Sequence, residues 1–305
     1  MELYKKYRPK SLKRIVGQPE AVKILQNLID ANRIPHAILL SGPSGCGKTS
    51  MARILKRELG CSDQDFSELN CADFRGIDMV RDIRACMGLS PLVGDCRVWL
   101  IDEAHQLTGP AQDAFLKILE DTPSWVYFLL ATTDPQKLKP TIRTRCTEIK
   151  VKLLGSKDME DLLRQISRHE KLDVPEEVVD QIIESAEGSP RKALVLLDSI
   201  SGLEHEEMLF TIASADTQSK GIELARALLK PSLKWPSIAK ILKNLDDDPE
   251  AIRWIVLGYA NTVLASGNGR SLERSYAMIE AFRENFYDSK KAGLTAACYE
   301  VVSGG

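Results

Sequence analysis

The segment from Gly42 to Thr49, with the sequence GPSGCGKT, constrains the fold of this chain more than any other feature. It fits the pattern G-x-x-x-x-G-K-[ST], which is typical of loops whose backbone N–H groups surround phosphate groups. The apolar residues 37–40 before the loop are typical of a buried strand, and residues 51–59 after it follow a helical period. The strand–loop–helix context that such a loop requires is therefore present.

A second apolar run, residues 98–101, ends in two consecutive carboxylates, Asp102 and Glu103. Phosphate-loop proteins need a lysine against the β- and γ-phosphates, and a hydroxyl and a carboxylate for Mg²⁺. The pattern assigns these roles to Lys48, Thr49 and Asp102. It makes Glu103 the residue that orients and deprotonates the attacking water. The two motifs together predict a site for a nucleoside triphosphate.

The length of 305 residues predicts two or three domains, and 44% hydrophobic and 28% charged residues are ordinary for a globular protein. The sequence has no run of about 18 apolar residues and no signal-peptide core near its N-terminus, so we expect a cytoplasmic protein without a membrane segment. The net charge of −2 argues against non-specific nucleic-acid binding. The first 150 residues are nevertheless slightly basic, which permits an anionic partner there.

The seven cysteines contain no Cys-x-x-Cys pair. Zinc sites usually need closely spaced ligands, so we expect no zinc site. Reduced and mostly buried thiols are the better interpretation.

Apolar runs alternate with helical segments over residues 1–154, which predicts a mainly parallel sheet with helices on both faces. Nucleotide binds at the carboxyl ends of the strands in such a sheet. The strands are predicted at residues 37–40, 66–70, 98–101, 127–131 and 148–153.

From residue 155 the pattern is helical only. Three helices are predicted in a small domain, residues 155–203, at 158–169, 175–186 and 191–200. A further all-α domain, residues 204–305, has predicted helices at 219–229, 235–245, 249–265, 272–286 and 292–302.

Several other residues admit two interpretations from the sequence alone. Thr132 and Thr133 end a strand beside the two acids, where a hydroxyl could contact the γ-phosphate or simply terminate the strand. Arg145 could be an arginine finger that reaches a neighbour's γ-phosphate, or an exposed surface arginine. Arg191 could fold over the phosphates or cap a helix, and the Arg8-Pro9 turn could close over a base.

The string Asp102-Glu103-Ala104-His105 also matches the signature of a helicase group. Four residues are weak evidence, and the predicted domain is too short for that two-lobed motor. The helicase interpretation is therefore set aside.

Taken together, the motifs resemble those of the AAA+ sliding-clamp loaders. The matching segments occur in the order of that family: residues 6–9 (KYRP), 16–18 (VGQ), 42–49, 102–103, 131–137 (ATTDPQK), 144–146 (TRC) and 188–191 (GSPR). Residues 131–138 are very similar to the tau/gamma subunit of bacterial DNA polymerase III. Residues 70–78 are closer to the small subunits of replication factor C.

The resemblance implies an α/β fold: an AAA+ parallel-sheet P-loop domain (1–154), a small helical lid domain (155–203) and an all-α collar (204–305). It implies ATP and Mg²⁺ as ligands, Thr133 and Arg191 as sensors, and Arg145 as a finger that acts in trans. The implied nucleotide-binding set is Tyr7, Arg8, Pro9, Ile15 and Val16 around adenine, Gly42, Pro43, Ser44, Gly45, Cys46, Gly47, Lys48, Thr49 and Ser50 around the phosphates, and Thr133, Pro190 and Arg191.

The resemblance also implies partners: primer–template DNA, a sliding clamp and other loader subunits in a pentamer. The implied DNA contacts are Arg75, Arg81, Arg84 and Thr108, and the implied clamp contacts are Met87, Leu89, Pro91, Leu92 and Val93. Independently, Arg81 and Arg84 are spaced i, i+3, which suits a phosphate backbone but also an ordinary solvated helix face. The apolar stretch 87–93 could equally be a buried loop.

The sequence departs from the family pattern in two respects. Thr144 replaces the usual serine of the finger motif, and neither the zinc module of the bacterial subunit nor a long polymerase-binding tail is expected. This compact form is similar to replication factor C small subunits and to phage loaders, and we expect the host to be a bacterial or phage-infected cell.

Two alternatives stay open. One is another AAA+ motor, such as a branch-migration or recombination ATPase, which would need a different C-terminal region. The other is a clamp-binding scaffold that does not hydrolyse ATP. The presence of Lys48, Thr49, Asp102 and Glu103 disfavours the scaffold.

Overall fold

The computed structural model describes residues 2–230, 232–265 and 272–303. It divides into two compact units, Met1–Gly202 and Leu203–Gly305. No helix within the described residues is both long enough and apolar enough to span a bilayer.

The first unit contains a five-stranded sheet in which every pair of neighbouring strands is parallel, as the sequence predicts. The strands lie in the order β2-β3-β4-β1-β5. Their bounds are β1 Ala37–Ser41, β2 Phe66–Asn70, β3 Arg97–Asp102, β4 Val126–Thr132 and β5 Thr147–Lys150. Because β4 lies between β1 and β3, the loop after β1 and the acids at the end of β3 meet at the same edge of the sheet.

Strand β5 ends three residues earlier than predicted, because a side chain replaces the next strand partner. The Gln18 amide donates to the Lys152 carbonyl oxygen (2.6 Å) and accepts from the Lys152 N–H (3.0 Å). Gln18 is buried, and this pair of bonds fixes the segment before α2 to the chain after β5.

The helices of the first unit cover both faces of the sheet. Ile38 and Leu40 of β1 belong to one apolar cluster and Leu39 to a second, as expected for a strand that is buried on both sides. The helices are α1 Leu3–Lys6, α2 Pro19–Asp30, α3 Lys48–Glu58, α4 Ile77–Met87, α5 Gly109–Glu120, α6 Pro140–Arg143, α7 Ser156–Glu170, α8 Glu176–Ala186 and α9 Pro190–Ser199.

The helices α7, α8 and α9 form the region predicted as a lid. They belong to the same compact unit as the sheet. Their separation as a lid domain of residues 155–203 therefore stays a prediction.

The second unit is helical throughout its described residues and has one apolar core. Its helices are α10 His205–Leu229, α11 Trp235–Lys243, α12 Pro249–Ala265, α13 Leu272–Ala281 and α14 Lys290–Ser303. Helix α10 begins well before the predicted residue 219, because Glu204 and Glu207 form a reciprocal capping box at its start. Its role as a collar stays a prediction.

Helix α13 ends before the predicted residue 286. The carbonyl oxygens of Phe282 and Arg283 accept from the guanidinium of Arg253 (3.1 and 3.3 Å). Both residues directly follow the helix, and in a longer helix their carbonyl oxygens would accept from N–H groups four residues further on, so Arg253 replaces those partners.

Candidate nucleotide-binding site

The loop between β1 and α3 depends on two glycines with left-handed backbone angles. Gly45 has φ +76°, and a Cβ there would collide with the Ser189 side chain. Gly47 has φ +99° and directly precedes α3. The N–H groups in the first turn of a helix have no intrahelical partner, so the loop and helix start together suit an anion.

Lys48 is a buried cation whose partners are backbone carbonyls. The residue is 6% exposed, and Nζ donates to the carbonyl oxygens of Gly42 and Pro43, at 2.8 Å each. Burial lowers the pKa of Lys48, while the nearby carboxylates of Glu103 and Asp102 act in the opposite direction. An arriving phosphate would provide the full counter-charge that the carbonyls lack.

Thr49 and Asp102 place two hard oxygen donors side by side. The Thr49 hydroxyl donates to Asp102 Oδ2 at 2.8 Å. Oxygen ligands are those that Mg²⁺ prefers, and protein Mg²⁺ sites commonly use one or two carboxylates plus substrate phosphates. The residues present therefore fit the metal that the motif predicts.

Glu103 directly follows β3 in a left-handed conformation, with φ 51° and ψ 43°. Its N–H donates to Asp102 Oδ1 at 3.0 Å, and its carboxylate is about a third exposed. The Thr133 hydroxyl, at the end of β4, lies 3.5 Å from Glu103 Oε2. The structure thus brings Thr133 to the acid, although Thr133 does not line the pocket itself.

The N-terminal arm closes one side of the site. Its residues Tyr7, Arg8, Pro9, Ile15 and Val16, all predicted to contact adenine, line the same pocket as the phosphate loop. Burial lowers the pKa of Arg8, and the positive charges of Arg53 and Arg191 lower it further. The pocket therefore combines apolar walls with a concentration of positive charge.

A carboxylate on α7 holds this arm in place. The Tyr7 hydroxyl donates to Glu170, and Lys6 forms an ion pair with the same residue at 2.6 Å. These contacts raise the pKa of Tyr7 and hold the pKa of Glu170 below its usual range. Tyr7, which lines the pocket, is therefore held by a residue 163 positions away in the sequence.

The start of α9 contributes the opposite wall. Pro190 and Arg191 line the pocket, and the Arg191 side chain is exposed and extends the positive charge around Lys48. The pocket thus brings together most of the predicted nucleotide contacts. Its complete lining is Tyr4, Tyr7, Arg8, Pro9, Arg14, Ile15, Val16, Ser44, Gly45, Cys46, Gly47, Lys48, Thr49, Ser50, Asp102, Glu103, Leu154, Leu162, Pro190, Arg191 and Leu194.

Sequence reasoning missed five of these residues: Tyr4, Arg14, Leu154, Leu162 and Leu194. Tyr4 of α1 lies three residues before Tyr7, which caps the end of that helix, and this helical spacing could have indicated Tyr4. Leu162 and Leu194 are ordinary apolar positions of α7 and α9. Only the packing of those helices brings them to the pocket.

Arg145 lies outside the pocket. Its guanidinium donates to Glu120 Oε1 (2.6 Å) and to the Thr141 carbonyl oxygen (3.1 Å), and both charged groups are partly exposed. Arg145 therefore does not contribute to the nucleotide pocket of its own chain.

The residues predicted to contact DNA are all exposed. Arg81 forms an ion pair with Asp78 (2.9 Å) on the same helix, α4. Thr108 caps α5, and its N–H donates to the Arg75 carbonyl oxygen (3.1 Å), which keeps these two residues adjacent.

The residues predicted to contact a clamp divide into two groups. Leu89, Leu92 and Val93 are exposed by 60%, 72% and 68%, whereas Met87 is buried in the core beside the sheet. Met87 faces inward because it is the last apolar residue of α4 on the side that packs against the sheet. Pro91 is partly buried.

This exposed loop is held by a buried carboxylate. Asp65 accepts hydrogen bonds from the N–H groups of Leu92 (2.6 Å), Val93 (3.0 Å) and Gly94 (3.0 Å). These donors hold the pKa of Asp65 well below its usual range.

Across residues 2–230, 232–265 and 272–303, no group of three or more potential metal-binding side chains occurs.

Comparisons with known proteins identify relatives of this chain. The family model described as "DNA polymerase III, delta subunit" matches residues 17–79 and 72–155. The DNA polymerase III subunit gamma/tau of Mycobacterium tuberculosis is 38% identical over 223 residues, which is 66% of this chain and 39% of that protein. The subunit tau of Bacillus subtilis is 35% identical over 332 aligned positions, 98% of this chain and 58% of that protein.

The subunit tau of Escherichia coli is 32% identical over 267 residues, 81% of this chain and 38% of that protein. The chain thus spans between about two fifths and three fifths of the length of these relatives.

A solved structure of Thermotoga maritima RuvB, a Holliday junction branch migration motor, has a TM-score of 0.58 and 20% identity. It covers 78% of this chain and 85% of that one, and it supports the fold alone.

Proposed function

Because the chain belongs to the AAA+ clamp-loader ATPase subunits, we propose that it is an ATPase subunit of a sliding-clamp loader for a DNA polymerase. The observation that carries this proposal is one pocket that combines a phosphate loop, two catalytic acids and the arm residues of that family. The predicted confinement to the cytoplasm of a bacterial or phage-infected cell is part of the same proposal.

ATP binds with its triphosphate along the phosphate loop, where Lys48 contacts the β- and γ-phosphates. Its base lies between the arm residues Tyr7 to Pro9 and the apolar side chains of Ile15 and Leu194. Arg191 supplies further positive charge beside the phosphates. These residue types match both the charge and the aromatic surface of the nucleotide.

Thr49 and Asp102 would hold Mg²⁺, and the metal when bound would neutralise charge on the phosphate oxygens. Glu103 orients a water molecule and accepts its proton as the water oxygen attacks the γ-phosphorus. The bond between the γ-phosphorus and the bridging oxygen breaks, and its electrons stay on ADP. Thr133 would assist Glu103, and the distance of 3.5 Å between its hydroxyl and Glu103 Oε2 supports this role.

Arg145 acts on a neighbouring subunit. It is exposed, cationic and outside its own pocket, which supports a role in trans. An arginine finger accelerates phosphoryl transfer by about 10³-fold or more. The second unit would serve as the collar through which five subunits assemble.

ATP binding would assemble a spiral of subunits that opens the clamp and holds primer–template DNA. The contacts would be Arg75, Arg81, Arg84 and Thr108 for DNA, and the exposed loop with Leu89, Leu92 and Val93 for the clamp. Hydrolysis would then release the closed clamp on DNA. Met87 has no direct part in this proposal, because it is buried.

The test is a mixing experiment with two inactive variants. Glu103→Gln should bind ATP but lose turnover and retain clamp and DNA in a stable complex. Arg145→Ala should also lose turnover in the assembled state. In a mixed assembly, an Arg145→Ala subunit with an intact Glu103 can lie beside a Glu103→Gln subunit with an intact Arg145. If Arg145 acts in trans, the site between these two subunits should regain activity.

Recovery of turnover on mixing supports the finger and the assembly together. Full activity of assembled Arg145→Ala would remove Arg145 from the mechanism. Normal turnover by Glu103→Gln would remove the proposed base.

A further inference from the structure

His105 has a nearly buried side chain beside the proposed active site, and the proposed mechanism gives it no role. It lies in the short helical turn Ala104–Gln106 that follows β3, and its side chain is 8% exposed. Its ring Nδ1 is 3.3 Å from Glu103 Oε2 and 3.2 Å from Thr132 Oγ1. The imidazole therefore contacts the carboxylate that must act as the base.

The neighbouring side chains determine which ring nitrogen carries the proton. Gln106 Nε2 lies 3.1 Å from His105 Nε2. An amide nitrogen can only donate, so Nε2 accepts and the proton of the neutral ring lies on Nδ1. Thr132 Oγ1 already accepts from the Asp134 N–H (3.1 Å). The Nδ1–H thus points at the Glu103 carboxylate and the Thr132 hydroxyl.

Glu103 needs such a contact because its own backbone does not fix the carboxylate. The residue is in the left-handed region, which is uncommon for residues other than glycine and is frequent at functional sites. A third of the side chain is exposed, and the Thr133 hydroxyl at 3.5 Å is a weak second contact. Both contacts involve Oε2, which leaves Oε1 available.

We propose that His105 is a positioning residue whose Nδ1–H holds Glu103 Oε2, so that Oε1 faces the attacking water. The inference rests on the proposed function only in requiring Glu103 as the base for hydrolysis of a nucleoside triphosphate. It does not depend on a clamp or on DNA. It also gives the final residue of the Asp102-Glu103-Ala104-His105 string a role that does not involve a helicase.

The test compares two amides of similar polarity at the same position. His105→Asn places an N–H donor where Nδ1 is, whereas His105→Gln places its donor where Nε2 is. We expect kcat for ATP to fall about 10- to 100-fold in His105→Gln, because a misdirected base loses part of the 10²- to 10⁴-fold that general bases contribute. His105→Asn should stay within about threefold of the wild type, and KM for ATP should be unchanged in both.

A double variant separates positioning from a structural role. Because His105 acts through Glu103, His105→Gln should have no further effect on turnover in a Glu103→Gln background. Equal kcat values for the two amide variants would overturn the inference. So would a multiplicative loss in the double variant, or a loss confined to KM or to thermal stability. If Glu103→Gln alone leaves turnover intact, the proposed function fails instead.

Discussion

Two buried cations, Lys48 in the first unit and Arg253 in the second, have opposite sets of partners. Among the residues that the structure describes, Lys48 has only carbonyl oxygens as hydrogen-bond partners, and it lines a pocket. Arg253 donates to the Glu250 carboxylate at 2.6 and 2.8 Å and to two carbonyl oxygens. A buried cation that lines a pocket and has no carboxylate hydrogen-bonded to it indicates a binding site. A buried cation that is bonded to a carboxylate indicates a structural role.

The Arg253 network has a structural purpose that can be read from its partners. Glu250 also accepts from the Phe286 N–H (2.9 Å), so the pair connects the start of α12 with the segment after α13. The hydrogen bond from Arg253 holds the pKa of Glu250 below its usual range. Lys48, the buried cation at the pocket of the first unit, is thus available to a ligand, whereas Arg253 in the second unit is bonded to a carboxylate and to the backbone.

The largest expected effect is on ATP turnover in Lys48→Ala. Removing the cation that contacts the transferred phosphoryl group should lower turnover about 10³-fold. Thermal stability should not fall, because a poorly compensated buried charge is removed. Steady-state turnover and a melting curve measure the two effects.

The matched control is Lys56→Ala. Lys56 is also a buried lysine of α3, but it forms an ion pair with Asp63. Turnover should be preserved in this variant. A comparable loss of turnover in both variants would contradict the proposed difference between a buried lysine at the pocket and a buried lysine in an ion pair.

The next largest effect is on the stability of the second unit. Glu250→Ala leaves a buried guanidinium without its carboxylate and should cost about 3–5 kcal/mol of unfolding free energy. The control is Asp246→Ala, which breaks the exposed pair with Lys291 (3.0 Å) and should cost at most about 1 kcal/mol. Urea unfolding measures both, and equal costs would show that the buried pair has no special structural role.

The smallest expected effect concerns the arm over the pocket. Glu170→Gln removes the ion pair with Lys6 and weakens the bond with Tyr7, so KM for ATP should rise about two- to fivefold while kcat stays the same. Lys6 and Tyr7 lower the pKa of Glu170. The ionised contact is therefore complete above the ordinary glutamate pKa of about 4.3, and it is lost only as the pH falls through the lowered pKa of Glu170. ATP affinity in the wild type should therefore be insensitive to this group near neutral pH. A fall in kcat would contradict a role limited to binding.

Much of the first unit was predictable from the sequence because its signals are local. The five strands, the phosphate loop and the acids after β3 all lie within short patterns of apolar and special residues. The end of β5 was wrong because Gln18, 134 residues away, takes the place of a strand partner. No local pattern contains that contact.

In the second unit, two helix ends were not predicted, because neither depends on a common local pattern. The start of α10 was missed because a reciprocal pair of glutamates, Glu204 and Glu207, caps it in place of the usual serine, threonine, aspartate or asparagine. The end of α13 was missed because Arg253, from another helix, binds the carbonyl oxygens of the two residues that follow α13. In the site, Leu162 and Leu194 likewise acquire their positions from tertiary packing.

The most direct test of the proposed function is ATP turnover by the assembled protein, with and without primer–template DNA and the sliding clamp of its own source. We expect strong stimulation only when DNA and clamp are both present, and none of it in Lys48→Ala. Stimulation by DNA alone, indifferent to the clamp, would contradict the clamp-loader proposal and favour another AAA+ motor.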